Sequence, residues 1–120
     1  MANATIAIDG LRVMAHVGVP EFERRQPQPL EIDVELEVEL DEPAILKRDS
    51  IASTVDYAAV QDAIAGLFVD TEHRLIERIA LRIAQQCLDD TRVERVRVSV
   101  AKPDALPDAR NARISLERGR

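Results

Sequence analysis

The sequence predicts an α+β fold: an antiparallel four-stranded sheet with two helices on one face, in the order ββααββ. Three observations carry this. Residues 30–40, "LEIDVELEVEL", alternate without a break between apolar and acidic side chains. Two stretches between residues 56 and 88 repeat apolar residues at helical spacing. Strand-like alternation also occurs in pairs, one pair before the helices and one after, as antiparallel neighbours would place it.

Taken in order, residues 4–17, "ATIAIDGLRVMAHV", read as a strand broken or bulged near Gly10. Pro20, Pro27 and Pro29 make residues 19–29 a loop. In residues 30–40, Leu30, Ile32, Val34, Leu36, Val38 and Leu40 share one face, and Glu31, Asp33, Glu35, Glu37 and Glu39 share the other. A connection, "DEPAILKRDSIAST", leads to a helix over Asp56–Val69 with Tyr57, Val60, Ile64, Leu67 and Phe68 on its apolar side, capped by Thr54 or Asp56. A second helix over Glu72–Leu88 carries Leu75, Ile76, Ile79, Ala80, Ile83, Ala84 and Cys87. Two strands close the chain, Val93–Lys102 and Asn111–Arg118, the latter with Ala112, Ile114 and Leu116 inward. Arg95, Arg97 and Arg113 can face the acidic row of residues 31–39 across the sheet. That charged face is either a solvated outer surface or the wet interior of an oligomer.

The 120 residues suffice for one domain, taken as residues 1–120, and are too few for two ordinary ones. A net charge of −6 argues against a nucleic-acid surface, which needs a basic face. No apolar run approaches a membrane span, and the N-terminus lacks the basic and apolar regions of a signal peptide. With a single cysteine, Cys87, no internal disulfide is possible, and the chain reads as cytoplasmic. His16, His73 and Cys87 have no zinc-site spacing, so no metal is expected.

One lysine stands out. Of the 16 basic residues only Lys47 and Lys102 are lysines. Wherever plain positive charge would do, the chain uses arginine, which keeps its proton, whereas a lysine in an apolar setting can be tuned into a base. Lys102 continues the apolar parity of Val96, Val98 and Val100, and Pro103 then stops the strand. Snorkelling explains many such lysines. Four other polar residues accompany it: Glu23 in the proline-rich loop, Asp56 and Tyr57 (the only tyrosine) at a helix start, and Glu77 one step off the apolar arc of the second helix. Singly, each has a structural explanation: a loop acid, a cap, a core aromatic, a flank residue.

Together they resemble a pattern. The stretches "GVPEFE", "DSIASTVDYAAV", "LIERIALRIA" and "VSVAKPDAL" stand in the order and spacing of the dihydroneopterin aldolases, of the tunnelling or T-fold group. The resemblance runs from "IAIDGLRVMAHVGVPEFERRQPQPLEIDVEL" to "RISLERG". One departure is Val17, where many members have a histidine; His16, one position off, does not inherit that role.

The resemblance implies a metal-free, cofactor-free lyase. It would split 7,8-dihydroneopterin into 6-hydroxymethyl-7,8-dihydropterin and glycolaldehyde without a Schiff base, in folate synthesis. It implies Lys102, Tyr57 and Glu23 as catalytic residues, and Glu77, Ile76, Val55 and Asp56 as pterin-binding ones. Glu77, expected to be buried beside Ala80 and Ala84, would accept two parallel hydrogen bonds from the pterin N3–H and 2-amino group. Lys102 would do acid–base work around the 2′-hydroxyl and N5, Tyr57 would assist protonation of the enol-like intermediate, and Glu23 would hold Lys102 or order a water. The assembly implied is a homo-octamer of two stacked tetramer rings, sheets joined into a barrel, with Thr54–Tyr57 reaching each active site from a neighbouring subunit. Two alternatives fit the same sequence: an epimerase acting at the 2′ carbon of dihydroneopterin or its triphosphate, and a non-catalytic pterin-binding T-fold assembly protein.

Overall fold

The computed structural model describes residues 1–120. Two long strands dominate it, β1 (Ala2–Val17) and β2 (Gln28–Leu40), followed late in the chain by β4 (Val93–Lys102) and β5 (Ala112–Gly119). All three pairings among them are antiparallel. A two-residue strand, β3 (Glu72–His73), runs parallel to the end of β1, so the sheet has five strands, in the order β3-β1-β2-β4-β5. The fold is α+β as expected. The four-stranded ββααββ pattern is too simple.

The differences have local causes. Residues 72–75 fit the helical spacing that continues into Ile76 and Ile79, but the backbone is extended there. His73 pairs with Val17, the Gly18 N–H donates to the His73 carbonyl at 3.0 Å, and Leu75 remains extended (φ −117°, ψ 134°). Tertiary pairing overrides local periodicity, and the helix α4 begins at Ile76 and runs to Leu88. The preceding helix, α3, spans Tyr57–Gly66 rather than reaching Val69. Asp56, not Thr54, is its cap, accepting from the Ala58 and Ala59 N–H groups at 3.0 and 3.3 Å. Two short helices occupy segments expected to be loops: α1 (Glu21–Arg24) and α2 (Glu42–Arg48). The second has a sequence signature in hindsight, with Asp41 accepting from the Ala44 N–H at 3.2 Å and Pro43 in the first turn.

Gly10 is the bulge. It has φ +65°, and the β1–β2 register slips there, Ile8 facing Val34 and Leu11 facing Ile32. The extra residue shifts the inward set from Ala4 and Ile6 to Leu11, Val13, Ala15 and Val17. Its freed N–H donates to the Asp33 carboxylate at 2.7 Å.

The core is one cluster. Leu30, Ile32, Val34 and Leu36 of β2 are fully buried, with Val96, Val98 and Val100 beside them on β4. Ile79, Ala80, Ile83 and Ala84 of α4 cover them; α3 adds Ile64, and the turn after it adds Phe68. Both helices therefore lie on the inner face. On the other face, Arg97 and Arg95 pair with Glu35 and Glu37 at 3.4 and 3.8 Å. Both arginines also reach Glu117 of β5. Arg113, expected in this ladder, is not part of it. Its cross-strand neighbour is Ala101, which separates it from Glu31. These pairs are half exposed, so each contributes little, of order 0–1 kcal/mol. No helix is long and apolar enough to cross a membrane.

Candidate active site

Lys102 is the last residue of β4, opposite Ala112 of β5. Strand parity turns its side chain to the core side of the sheet, where only 13 % of it remains exposed. It does not snorkel freely. Its ammonium forms an ion pair with the Glu23 carboxylate. That hydrogen bond holds the Glu23 carboxyl below its ordinary value of 4.5; partial burial opposes the shift, and Gln28 assists it.

Glu23 lies on α1, a single turn with no side-chain cap. Such a turn does not hold itself in place. Three residues hold it. Arg24 is buried, and its guanidinium donates to the carbonyls of Gly18 and Val19 at 3.0 and 2.7 Å. His16 Nδ1 donates to the Arg24 carbonyl at 2.7 Å. Gln28 Nε2 bridges the Val17 carbonyl, at 2.7 Å, and the Glu23 carboxylate, at 3.3 Å.

A cleft of about 230 Å³ opens beside the pair. Val19, Leu75, Ile76 and Ala105 give it apolar walls. Glu77 faces it from the first turn of α4, and Arg74 stands at its margin. One expectation is corrected here. Glu77 is exposed, and Ala80 and Ala84 are fully buried in the core behind it, so no alanine-lined niche surrounds the carboxylate. The cleft combines apolar side chains with charged groups, the Glu77 carboxylate and the Lys102–Glu23 pair among them. It suits a flat polar ring bearing adjacent N–H donors and a hydroxylated side chain.

Val55, Asp56 and Tyr57 are elsewhere. Arg92, just before β4, donates to the carbonyls of Ala52 and Thr54 at 2.9 and 3.2 Å. This fastens their segment to the opposite end of the strand from Lys102. Nine steps along β4 at roughly 3.3 Å each put about 30 Å between the two ends. Val55 is buried in the core, and the Asp56 carboxylate is engaged in capping α3. Tyr57 is no core aromatic: it is 62 % exposed. Asp56, Cys87 and Arg92 line a larger cleft of about 610 Å³ there; its cation is Arg92, paired with Asp90 at 3.9 Å, and an arginine keeps its proton. The structure thus brings Glu23, Ile76, Glu77 and Lys102 together within one chain and leaves Val55, Asp56 and Tyr57 apart from them. Sequence reasoning missed Gly18, Arg24, Gln28 and Arg74. Only Gln28, a polar residue between Pro27 and Pro29, carried a hint.

Residues 6–117 match the family model described as dihydroneopterin aldolase. A dihydroneopterin aldolase of Streptomyces coelicolor is 37 % identical over 100 residues, covering 83 % of this chain and 82 % of its own. The crystal structure of Escherichia coli dihydroneopterin aldolase in complex with neopterin superposes with a TM-score of 0.87 at 28 % identity, covering 97 % of this chain and 99 % of the other. A dihydroneopterin aldolase from a Burkholderia species, bound to guanine, superposes with a TM-score of 0.83 at 26 % identity, covering 98 % and 92 %.

Proposed function

The chain belongs to the dihydroneopterin aldolase family, lyases of folate synthesis, and we propose that Glu77 anchors the pterin of 7,8-dihydroneopterin while Lys102, Glu23 and a Tyr57 from a neighbouring subunit carry out its retro-aldol cleavage. The observation that carries this reading is the Lys102–Glu23 ion pair lining the same cleft as Glu77.

Neopterin and guanine, the ligands of the two related structures, share a ring N–H beside a 2-amino group. An exposed carboxylate such as Glu77 can accept from both at once, in the fork geometry that makes charge-assisted pairs directional. Ile76 then packs against the ring. With the pterin so placed, its hydroxylated side chain extends toward Lys102. Lys102, steadied by Glu23, exchanges protons with the 2′-hydroxyl and N5 through water. The C1′–C2′ bond breaks, its electron pair passes into the ring toward N5, and C2′ leaves as the carbonyl carbon of glycolaldehyde. The proton that C1′ then requires is managed by Tyr57. The ring is the electron sink, so the reading calls on no metal and no Schiff base. Proton transfer of this kind accounts for about 10²–10⁴-fold in rate.

Tyr57 cannot act in the pocket of its own chain, because about 30 Å of β4 lies between. β5 has no strand beyond it, and β1 is covered only at its last residues by β3. Open edges of this kind favour sheet-to-sheet association. We take the assembly to be a ring of four subunits whose sheets close into a barrel, two rings stacking as an octamer. The pockets lie at subunit boundaries, where Val55 and Asp56 from the neighbour present main chain to the pterin. Residues 1–120 act as one domain, in the cytoplasm.

The test is incubation with 7,8-dihydroneopterin, following 6-hydroxymethyl-7,8-dihydropterin and glycolaldehyde by chromatography. Wild-type protein is expected to release both. Lys102→Arg, which keeps the charge but cannot shuttle a proton, is expected to lose about 10²-fold or more in kcat. Near wild-type turnover by Lys102→Arg would remove the acid–base assignment. Release of a 2′-epimer without glycolaldehyde would replace cleavage by epimerisation.

A further inference from the structure

Gly18 follows β1 with φ +153°, a conformation that side chains rarely adopt. Its backbone is held from two directions. The N–H donates to the His73 carbonyl at 3.0 Å, and the carbonyl accepts from the buried Arg24 guanidinium at 3.0 Å. Over its bare α-carbon lies the side chain of Glu23. A Cβ at residue 18 would stand 2.4 Å from both Cδ and Oε1 of Glu23, and 2.6 Å from Glu23 Cβ. No other group comes as near to that position. With the backbone pinned by β3 on one side and by Arg24 on the other, a methyl group there is not relieved by withdrawal of the chain. Glu23 has to vacate the space.

We propose that Gly18 is a positioning residue of the cleavage reaction: its missing side chain is the slot through which the Glu23 carboxylate reaches Lys102. Gln28 also holds the carboxylate, its Nε2 donating to the Val17 carbonyl and to Glu23. The inference rests on the roles given above to Glu23 and Lys102. It distinguishes Gly18 from a glycine needed only for a turn. A turn glycine, when replaced, changes stability and all functions together. This one, when replaced, changes the chemical step and leaves pterin binding at Glu77 in place.

The experiment is a cycle of Gly18→Ala, Glu23→Gly and the double variant, in the full chain, with assembly checked by native mass spectrometry. Turnover of 7,8-dihydroneopterin and its pH profile are measured, along with affinity for neopterin. Gly18→Ala is expected to lower kcat by about tenfold or more, within the range of a proton-transfer group, with KM and neopterin affinity changed less than about twofold. Its pH profile is expected to move to that of Glu23→Gly. The double variant is expected to be no slower than Glu23→Gly, because groups acting as a unit are not additive. Unchanged kcat in Gly18→Ala, or losses that add in the double variant, overturns the proposal. If Gly18→Ala alone fails to assemble, the double variant, which empties the slot of Glu23 side-chain atoms, is expected to restore assembly; failure to do so also overturns it. Wild-type turnover by Glu23→Gly is a different outcome and removes the role of Glu23 itself.

Discussion

At the C-terminal end of β4, Lys102 meets Glu23 beside a cleft of about 230 Å³; at the N-terminal end, Arg92 ties down the segment carrying Tyr57 beside a cleft of about 610 Å³. The smaller cleft has the lysine–carboxylate pair, the larger only an arginine–carboxylate one. The larger has the volume and, close by in sequence, the exposed tyrosine. Size alone would choose the second, yet proton chemistry needs a cation that can give up its proton within reach of a carboxylate, and only the first has a lysine there. Under the proposed function, the two ends of β4 are half-sites, each completed by another copy of the chain.

The strongest way to break that view is complementation. Tyr57→Phe and Lys102→Ala, each expected to be impaired by about 10²-fold or more, are unfolded, mixed and reassembled. Shared pockets would recover an intact tyrosine from one chain and an intact lysine from the other, and turnover would rise well above both parents. Parental activity in hetero-oligomers verified by native mass spectrometry would mean that each chain works alone.

A smaller effect sharpens the picture of the Lys102 end. Glu77→Gln sets an amide donor against a ring donor and removes the charge, so neopterin affinity should fall by about 1.5–3 kcal/mol, the worth of a hydrogen bond to a charged group. Calorimetry reads this directly, and unaltered affinity would place the anchor elsewhere.

The smallest effect concerns acid. Both groups held below their ordinary values by their surroundings at the Lys102 end lose stability on acidification, in different windows. His73 is kept neutral chiefly by burial, with Arg78 and Arg82 adding to the effect, below its ordinary value of 6.5. As pH drops past 6.5 the unfolded chain binds a proton that the folded one refuses, and stability falls. Glu23 is held ionised, so its contribution is present above 4.5 and is lost as pH falls further, through its lowered folded value. At the other end, Cys87 is pushed up to about 11 by burial and is silent in acid. Urea unfolding should therefore show a first loss below pH 6.5 that His73→Gln removes, with hydrogen exchange quickening around residues 16–24 before residues 52–60. A uniform response along the chain would deny that the two ends differ.

Much of the fold and half of the site were legible in the sequence, for physical reasons. β4 matches its expected bounds because the period-two run of Val96, Val98, Val100 and Lys102 has no helical reading and Pro103 stops it. The same parity turned Lys102 inward before any partner was known. The bulge at Gly10 was visible because glycine in a strand interior has few other uses. What escaped was set by contacts distant in sequence. The extended stretch at residues 72–75 obeys helical spacing and is overruled by Val17 and Gly18. The helix wheel put Glu77 beside alanines but could not say that those alanines pack into the core and leave the carboxylate exposed. Arg24 and Gln28 act through carbonyls of residues 17–19, and backbone acceptors leave no trace in side-chain pattern.

The bulge also sets the phase of the second half of β1. Up to Ile8, β1 turns its even-numbered side chains inward; from Leu11 onward the odd-numbered ones turn inward, and the one added residue at Gly10 is the joint between the two phases. Without it, Arg12, Met14 and His16 would inherit the inward positions of Val13, Ala15 and Val17. The orientation in which the strand delivers Gly18 to Glu23 is thus decided eight residues upstream. The joint confines the cost of a change in strand length: a residue gained or lost before it can be absorbed at the bulge, whereas one gained or lost after it rotates the approach to Lys102 by half a turn of the pleat.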